Sequence, residues 1–274
     1  MSERVLCCPT DRAGVPGVER EWRGKTVTLA RAMEPMACYV STTPRSKHWL
    51  IVVYDIFGMH PNKYELADFM ADVKSINVAV PDVRRGRNWP MHLYPPPTEE
   101  AREAFYEYLA RDANPELRTA ETRATIDFVI DECGAESVSL LGLCWGAKVC
   151  SLIDNYRGVR CVIGAHPSFL KPDDGERTTV PTLMLPCKED NLTQYLAGCL
   201  RNKNPRLFSV SDAYLGTFHG FLGARGQWLL AEEKPFVDRA KEDISAFVLA
   251  HVGDTVVKGK ECKCAEARPA SLSA

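Results

Sequence analysis

A long apolar run, an excess of either charge and any internal repeat are all missing from this chain of 274 residues. No uninterrupted apolar stretch approaches the roughly 20 residues that cross a bilayer, so no membrane-spanning helix is expected. The opening MSERVLCCPTDR contains no apolar segment of the kind a secretory leader needs, and the expected compartment is the cytoplasm. Thirty-four Lys and Arg stand against 36 Asp and Glu, a formal net charge of -2. Binding to nucleic acid or an anionic membrane rests on a clustered basic surface, so neither is expected as a partner. A 45% hydrophobic content without repeats excludes collagen, coiled coil and disorder.

Cysteine, by contrast, is plentiful at 11 residues. In a chain kept in a reducing compartment these read mainly as small buried side chains, not as a disulfide framework. Cys7 with Cys8 and Cys262 with Cys264 form two terminal pairs, but a tetrahedral metal site would need further ligands that neither tail offers.

Residues 1–24 read as an irregular lead-in, 25–252 as one domain, and 253–274 as a polar tail. Within the domain, strand-like and helix-like stretches alternate. Trp49 to Tyr54 is almost continuously apolar, as a strand covered on both faces should be. Leu66, Phe69, Met70 and Val73 then mark one face of a helix. Further strands are expected at Asn77–Val80, stopped by Pro81, and at Ser137–Leu141, Val159–Ala165, Pro181–Pro186 and Arg206–Ser211. Helices are expected at about 98–112, 115–132, 191–203 and from near Trp145, with a last one carrying Phe236, Ala240, Ile244, Phe247 and Val248. Such alternation predicts an α/β fold, a doubly wound, mostly parallel sheet with helices on both faces. Its site should lie beyond the carboxyl ends of the strands.

There the sequence Gly142-Leu143-Cys144-Trp145-Gly146 follows a strand and precedes a helix. Its spacing matches the nucleophile elbow, G-x-S-x-G, with cysteine as the nucleophile. The turn forces an unfavourable backbone conformation, and only small flanking residues allow the close approach. A thiol needs a base, and the base an orienting acid, in the chain order nucleophile, acid, histidine. Three histidines follow Cys144. His219, in Gly216-Thr217-Phe218-His219-Gly220-Phe221 after the last strand, is the expected base; His166, at a strand end, could reach the site but reads first as a hydrogen-bonded loop histidine, and His251 as a solvent-facing or C-terminal one. Asp190, after the strand 181–186, is the expected acid, with a helix cap as the competing reading and Asp212 in reserve. The neighbouring Glu189 reads equally as a solvated loop charge.

The combination resembles the dienelactone hydrolase family of α/β-hydrolases. Four segments carry the likeness: Val53 to Gly58, Val80-Pro81-Asp82, the Cys144 elbow, and the His219-Gly220-Phe221 loop with Ala224-Arg225-Gly226 behind it. It covers roughly residues 25–250. The resemblance implies the α/β-hydrolase fold and a triad of Cys144, His219 and Asp190. It also implies oxyanion donors in the backbone N–H groups of Ile56 and Trp145, and neither metal nor organic cofactor. The expected substrate is a small ester or lactone, as for a carboxymethylenebutenolidase, and the chain is read as a monomer or homodimer. Two departures stand out. Where the family commonly has a glutamate that contacts the resting thiol, this chain has the shorter Asp55, read as a supporting residue. Arginines bind the substrate carboxylate in the family, and here Arg225 and Arg87 are the candidates, with Arg84 and Arg85 beside the latter. Trp89, Tyr94 and Trp145 are candidates for an apolar wall. Competing readings are a thioesterase or carboxylesterase with another acyl group, and a catalytically idle hydrolase fold serving as a binding or thiol-sensing protein.

Overall fold

Strand β3, His48–Val53, sends Trp49, Ile51 and Val53 to one side and Leu50 and Val52 to the other, all of them buried. That two-sided burial makes it a central strand. The computed structural model describes residues 21–252 apart from 31 and 33. It holds an eight-stranded sheet in the order β1-β2-β4-β3-β5-β6-β7-β8. Here β1 is Lys25–Leu29, β2 Met36–Ser41, β4 Asn77–Pro81, β5 Ser137–Leu143, β6 Val159–Ala165, β7 Thr182–Leu185 and β8 Phe208–Val210. From β4 to β8 neighbouring strands run parallel; β1 and β2 join antiparallel.

Helices cover both faces. One face buries Leu66 and Met70 of α1, Pro61–Val73, together with Val237, Ala240, Ile244 and Val248 of α7, Lys234–His251. The other buries Phe105 of α2, Glu99–Arg111, Ile126 and Val129 of α3, Thr119–Asp131, and Val149 and Cys150 of α4, Trp145–Ser151. Two short helices complete the set, α5 at Pro172–Arg177 and α6 at Thr193–Cys199. The expected α/β-hydrolase architecture is what the chain adopts.

Local expectations differ in places. The β1–β2 hairpin has no clear sequence signature, because β1 buries only Val27 and Leu29, a pattern too short to stand out at a sheet edge. The stretch 115–132 opens with a separate 3-10 turn at Glu116–Arg118, as Pro115 suits an irregular entry. Of the helix expected at 191–203 only α6 forms. On α1 the buried stripe is Lys63, Leu66, Ala67, Met70 and Ala71, while Val73 is exposed. The terminal cysteine pairs, the first 20 residues and the tail from 253 lie outside the described residues. All seven described cysteines are buried and unbridged.

Candidate active site

Cys144 sits between β5 and α4 with φ 53° and ψ −114°, a backbone conformation that L residues rarely adopt. The flanking glycines explain how the turn is possible. A Cβ on Gly146 would lie 2.1 Å from the Val53 carbonyl oxygen, and one on Gly142 would lie 2.3 Å from the Ala147 nitrogen. Both contacts are with backbone, which cannot move aside, so the chain has glycine at each position. Neighbouring strands tie the elbow down: Cys144 N–H donates to Ala165 O at 3.0 Å, and Ser168 N–H donates to Cys144 O at 3.0 Å.

The loop after β7 folds around one carboxylate. Asp190 Oδ2 accepts from the Cys187 N–H at 2.8 Å, which aims Oδ1 at His219 Nδ1, 2.5 Å away. The helix-cap reading of Asp190 therefore does not hold, and Leu192 occupies the cap position of α6. Glu189 is no solvated charge either. Its Oε2 accepts from the His219 N–H at 2.8 Å and lies 3.2 Å from the Cys187 thiol, clamping the histidine loop. Asp212, the reserve acid, is exposed.

On the other edge of the imidazole, Ser168 Oγ lies 3.4 Å from His219 Nε2 and 3.6 Å from Cys144 Sγ. The hydroxyl thus spans sulfur and ring. Burial disfavours a charged His219, yet the neighbouring Cys144 and the Asp190 hydrogen bond outweigh it, holding the ring well above the ordinary histidine value. His166 is also here, fully buried and 5.1 Å from His219 between ring centres. His251, by contrast, ends α7 with Nδ1 2.7 Å from Phe247 O.

Asp55 has been taken up by a partner that the sequence reading missed. Lys63 Nζ, wholly buried, lies 3.0 and 3.2 Å from its two oxygens. The same carboxylate accepts from Phe57 N–H at 3.0 Å and Ala224 N–H at 2.8 Å. Burial pushes Asp55 upward, but the Lys63 ammonium and the Ala224 N–H hold it below its ordinary value. It acts as a strap between the loop carrying Ile56 and the loop behind His219. Ile56 is fixed further by its carbonyl, which accepts from Trp89 N–H at 3.0 Å and Tyr108 Oη at 3.1 Å. The Trp145 N–H begins α4, where the helix itself offers no acceptor.

The arginines fall into three settings. Arg225, 1% exposed, donates from Nη1 to His219 O at 2.9 Å and so braces the histidine loop. Arg87 is half exposed, its Nε 3.8 Å from the buried Asp112 carboxylate. Arg84 is entirely buried, 4.6 Å from the Tyr54 and Trp145 ring centres, with Nη2 donating to Asp55 O at 2.8 Å. Trp89 and Tyr94 pack with Phe57, Phe105 and Tyr108 in an aromatic cluster of the core. Cys187, Asp190 and His219 bring potential metal-ligating atoms within 4.8 Å of one another. However, burial pushes the Cys187 thiol up to about 12, and Asp190 already binds His219 Nδ1. A bound ion would have to break the carboxylate–imidazole bond.

The model of the dienelactone hydrolase family matches residues 36–250. The chain belongs to that family. This dienelactone hydrolase family member is 24% identical over 245 residues to an uncharacterized AIM2 family protein of Schizosaccharomyces pombe, covering 88% of this chain and 97% of the relative. It is 24% identical over 234 residues to the carboxymethylenebutenolidase homolog of Mus musculus, covering 80% and 89%. A dienelactone hydrolase from Anabaena variabilis superimposes with a TM-score of 0.60 at 10% identity, over 85% of this chain and 99% of that one, a likeness of fold. The family member is accordingly a hydrolase of the dienelactone hydrolase type, and no helix among its described residues is long and apolar enough to cross a membrane.

Proposed function

We propose that the protein hydrolyses a small ester or lactone through a Cys144-His219-Asp190 triad. The observation that carries this reading is the convergence at Cys144: a strained elbow, an imidazole joined to it through Ser168, and a carboxylate 2.5 Å behind that imidazole. The three residues come from three separate loops at the carboxyl edge of the sheet.

An imidazole held above its ordinary value readily takes the Cys144 sulfur proton, leaving the thiolate that attacks. The thiolate attacks the carbonyl carbon, and the carbonyl electrons move to oxygen, which the Ile56 and Trp145 amides stabilise. Collapse of this intermediate breaks the carbon–oxygen bond, and the leaving alkoxide takes the His219 proton. Neutral His219 then removes a proton from water, whose oxygen displaces sulfur from the thioester. Carboxylic acid, thiolate and imidazolium result. Asp190 holds the ring orientation throughout, and the Asp55–Lys63 strap holds the Ile56 loop. A cavity of about 150 Å³ lies at Phe169, the residue after Ser168, and is lined further by Leu109, Ala113, Pro115, Glu116, Lys148 and Lys171.

The test is hydrolysis of an activated aryl ester and of a lactone by wild type and Cys144→Ala. Activity should vanish in the variant while its circular dichroism is unchanged. Equal activity in the two would remove Cys144 as the nucleophile.

A further inference from the structure

Strand β6 ends at Ala165, and the next residue turns sharply. His166 has φ 38°, in the left-handed region, where a bulky side chain is uncommon and strained. Backbone bonds fix that turn from both sides: His166 N–H donates to Leu185 O at 2.9 Å, and the flanking Ala165 and Ser168 each bond to the backbone of Cys144. The strained residue is therefore tied directly to the elbow. Its ring is wholly inaccessible to solvent, and among the described residues neither ring nitrogen has a hydrogen-bond partner. Whichever tautomer it adopts, an imidazole presents one donor and one acceptor, and leaving both unmet in a dry interior is costly. A phenyl ring would fill the same space, against His219 and Phe221 at 5.1 and 5.6 Å between centres, without that cost. The polar ring must be answered by something other than packing.

We propose that His166 is a second catalytic imidazole, a neutral ring whose N–H donates to the sulfur of Cys144 in its thiolate form. This rests on Cys144 being the nucleophile and extends the site to a residue outside the triad. The groups that act on the ring are Cys144, His219 and Asp190. Burial, reinforced by the neighbouring His219, holds His166 below the ordinary histidine value, so at neutral pH it carries a single N–H and no charge. The thiolate would then be shared between the Ser168 hydroxyl, which links it to His219, and the neutral ring of His166. Because a neutral ring gives up no proton, His166 leaves acid–base transfer to His219 and acts on sulfur alone.

The experiment is the rate of iodoacetamide alkylation of Cys144 between pH 5 and 9, with the adduct mapped by mass spectrometry. His166→Phe keeps ring volume and aromatic contacts but removes the donor; His166→Asn keeps a side-chain N–H and tolerates the left-handed backbone. The Phe variant should move the half-maximal pH upward by about one unit, a roughly tenfold slower reaction on the acid side, with Asn lying between it and wild type. Coincident profiles for wild type and Phe would overturn the proposal while leaving the nucleophile standing. Absence of any Cys144 adduct in wild type would remove both. Should the variants fail to fold, ¹⁵N spectra of the wild-type imidazoles decide. The His166 signal should move when Cys144 is alkylated, and a signal that stays put overturns the role.

Discussion

Replacing Lys63 with methionine removes one half of the buried ion pair and nothing else of comparable size. The Asp55 carboxylate would then keep two backbone donors but lose the ammonium that pairs with it. At the observed separations of 3.0 and 3.2 Å, attraction in a medium of effective dielectric near 20 is about 5 kcal/mol. Desolvation offsets much of that when the pair forms, yet removing one partner typically costs about 3–5 kcal/mol, because the other charge stays buried alone. Domains of ordinary stability have roughly 5–15 kcal/mol in total, so Lys63→Met should lower the urea midpoint severely. Adding Asp55→Asn should recover about 2 kcal/mol, since a neutral amide needs no counter-charge. Turnover should fall as well, on the order of tenfold, because the strap that positions the Ile56 loop is loosened. Urea unfolding followed by tryptophan fluorescence, run on both singles and the double, measures the coupling. A Lys63→Met loss under about 1 kcal/mol, or a double variant as unstable as the sum, would refute the reasoning.

Gly146→Ala should destabilise by about 3 kcal/mol, visible as a lowered melting temperature, since its Cβ would meet the Val53 carbonyl at 2.1 Å. Asp190→Asn should reduce kcat by about 10²-fold or more with the fold retained, as the imidazole loses its orienting acceptor. The pH profile follows from the raised His219. Its contribution to stability is fully present below about 6.5 and is lost as pH rises through the raised folded value. Activity that needs the imidazolium should decline on the same alkaline limb, and Asp190→Asn should bring that limb to lower pH. Activity rising with a midpoint near 6.5 and holding level above it would contradict this assignment.

The parts of the site that the sequence made legible are those dictated by local sterics and chain order. Glycine on either side of Cys144 is demanded by contacts of 2.1 and 2.3 Å, and such demands show in a five-residue window. The positions of His219 and Asp190 after their strands follow from the parallel sheet. What stayed hidden depends on packing between distant segments. Lys63 looks like a surface lysine, although it occupies the buried stripe of α1 three residues before Leu66, and that spacing was the available signal. Ser168 is one serine among many until the loop after β6 folds against the elbow. Arg84 lies in a loop rich in arginine and gives no local sign that Tyr54 and Trp145 enclose it. The β1–β2 edge hairpin failed to register for a related reason, since two buried side chains carry too weak a periodicity.

The most direct check is to look for the covalent intermediate itself. Intact-mass spectrometry within milliseconds of mixing with an activated acyl ester should show the protein heavier by one acyl group, and peptide mapping should locate that group on residue 144. Turnover with the acyl group on another side chain, or with the sulfur never modified at any time point, would contradict the account.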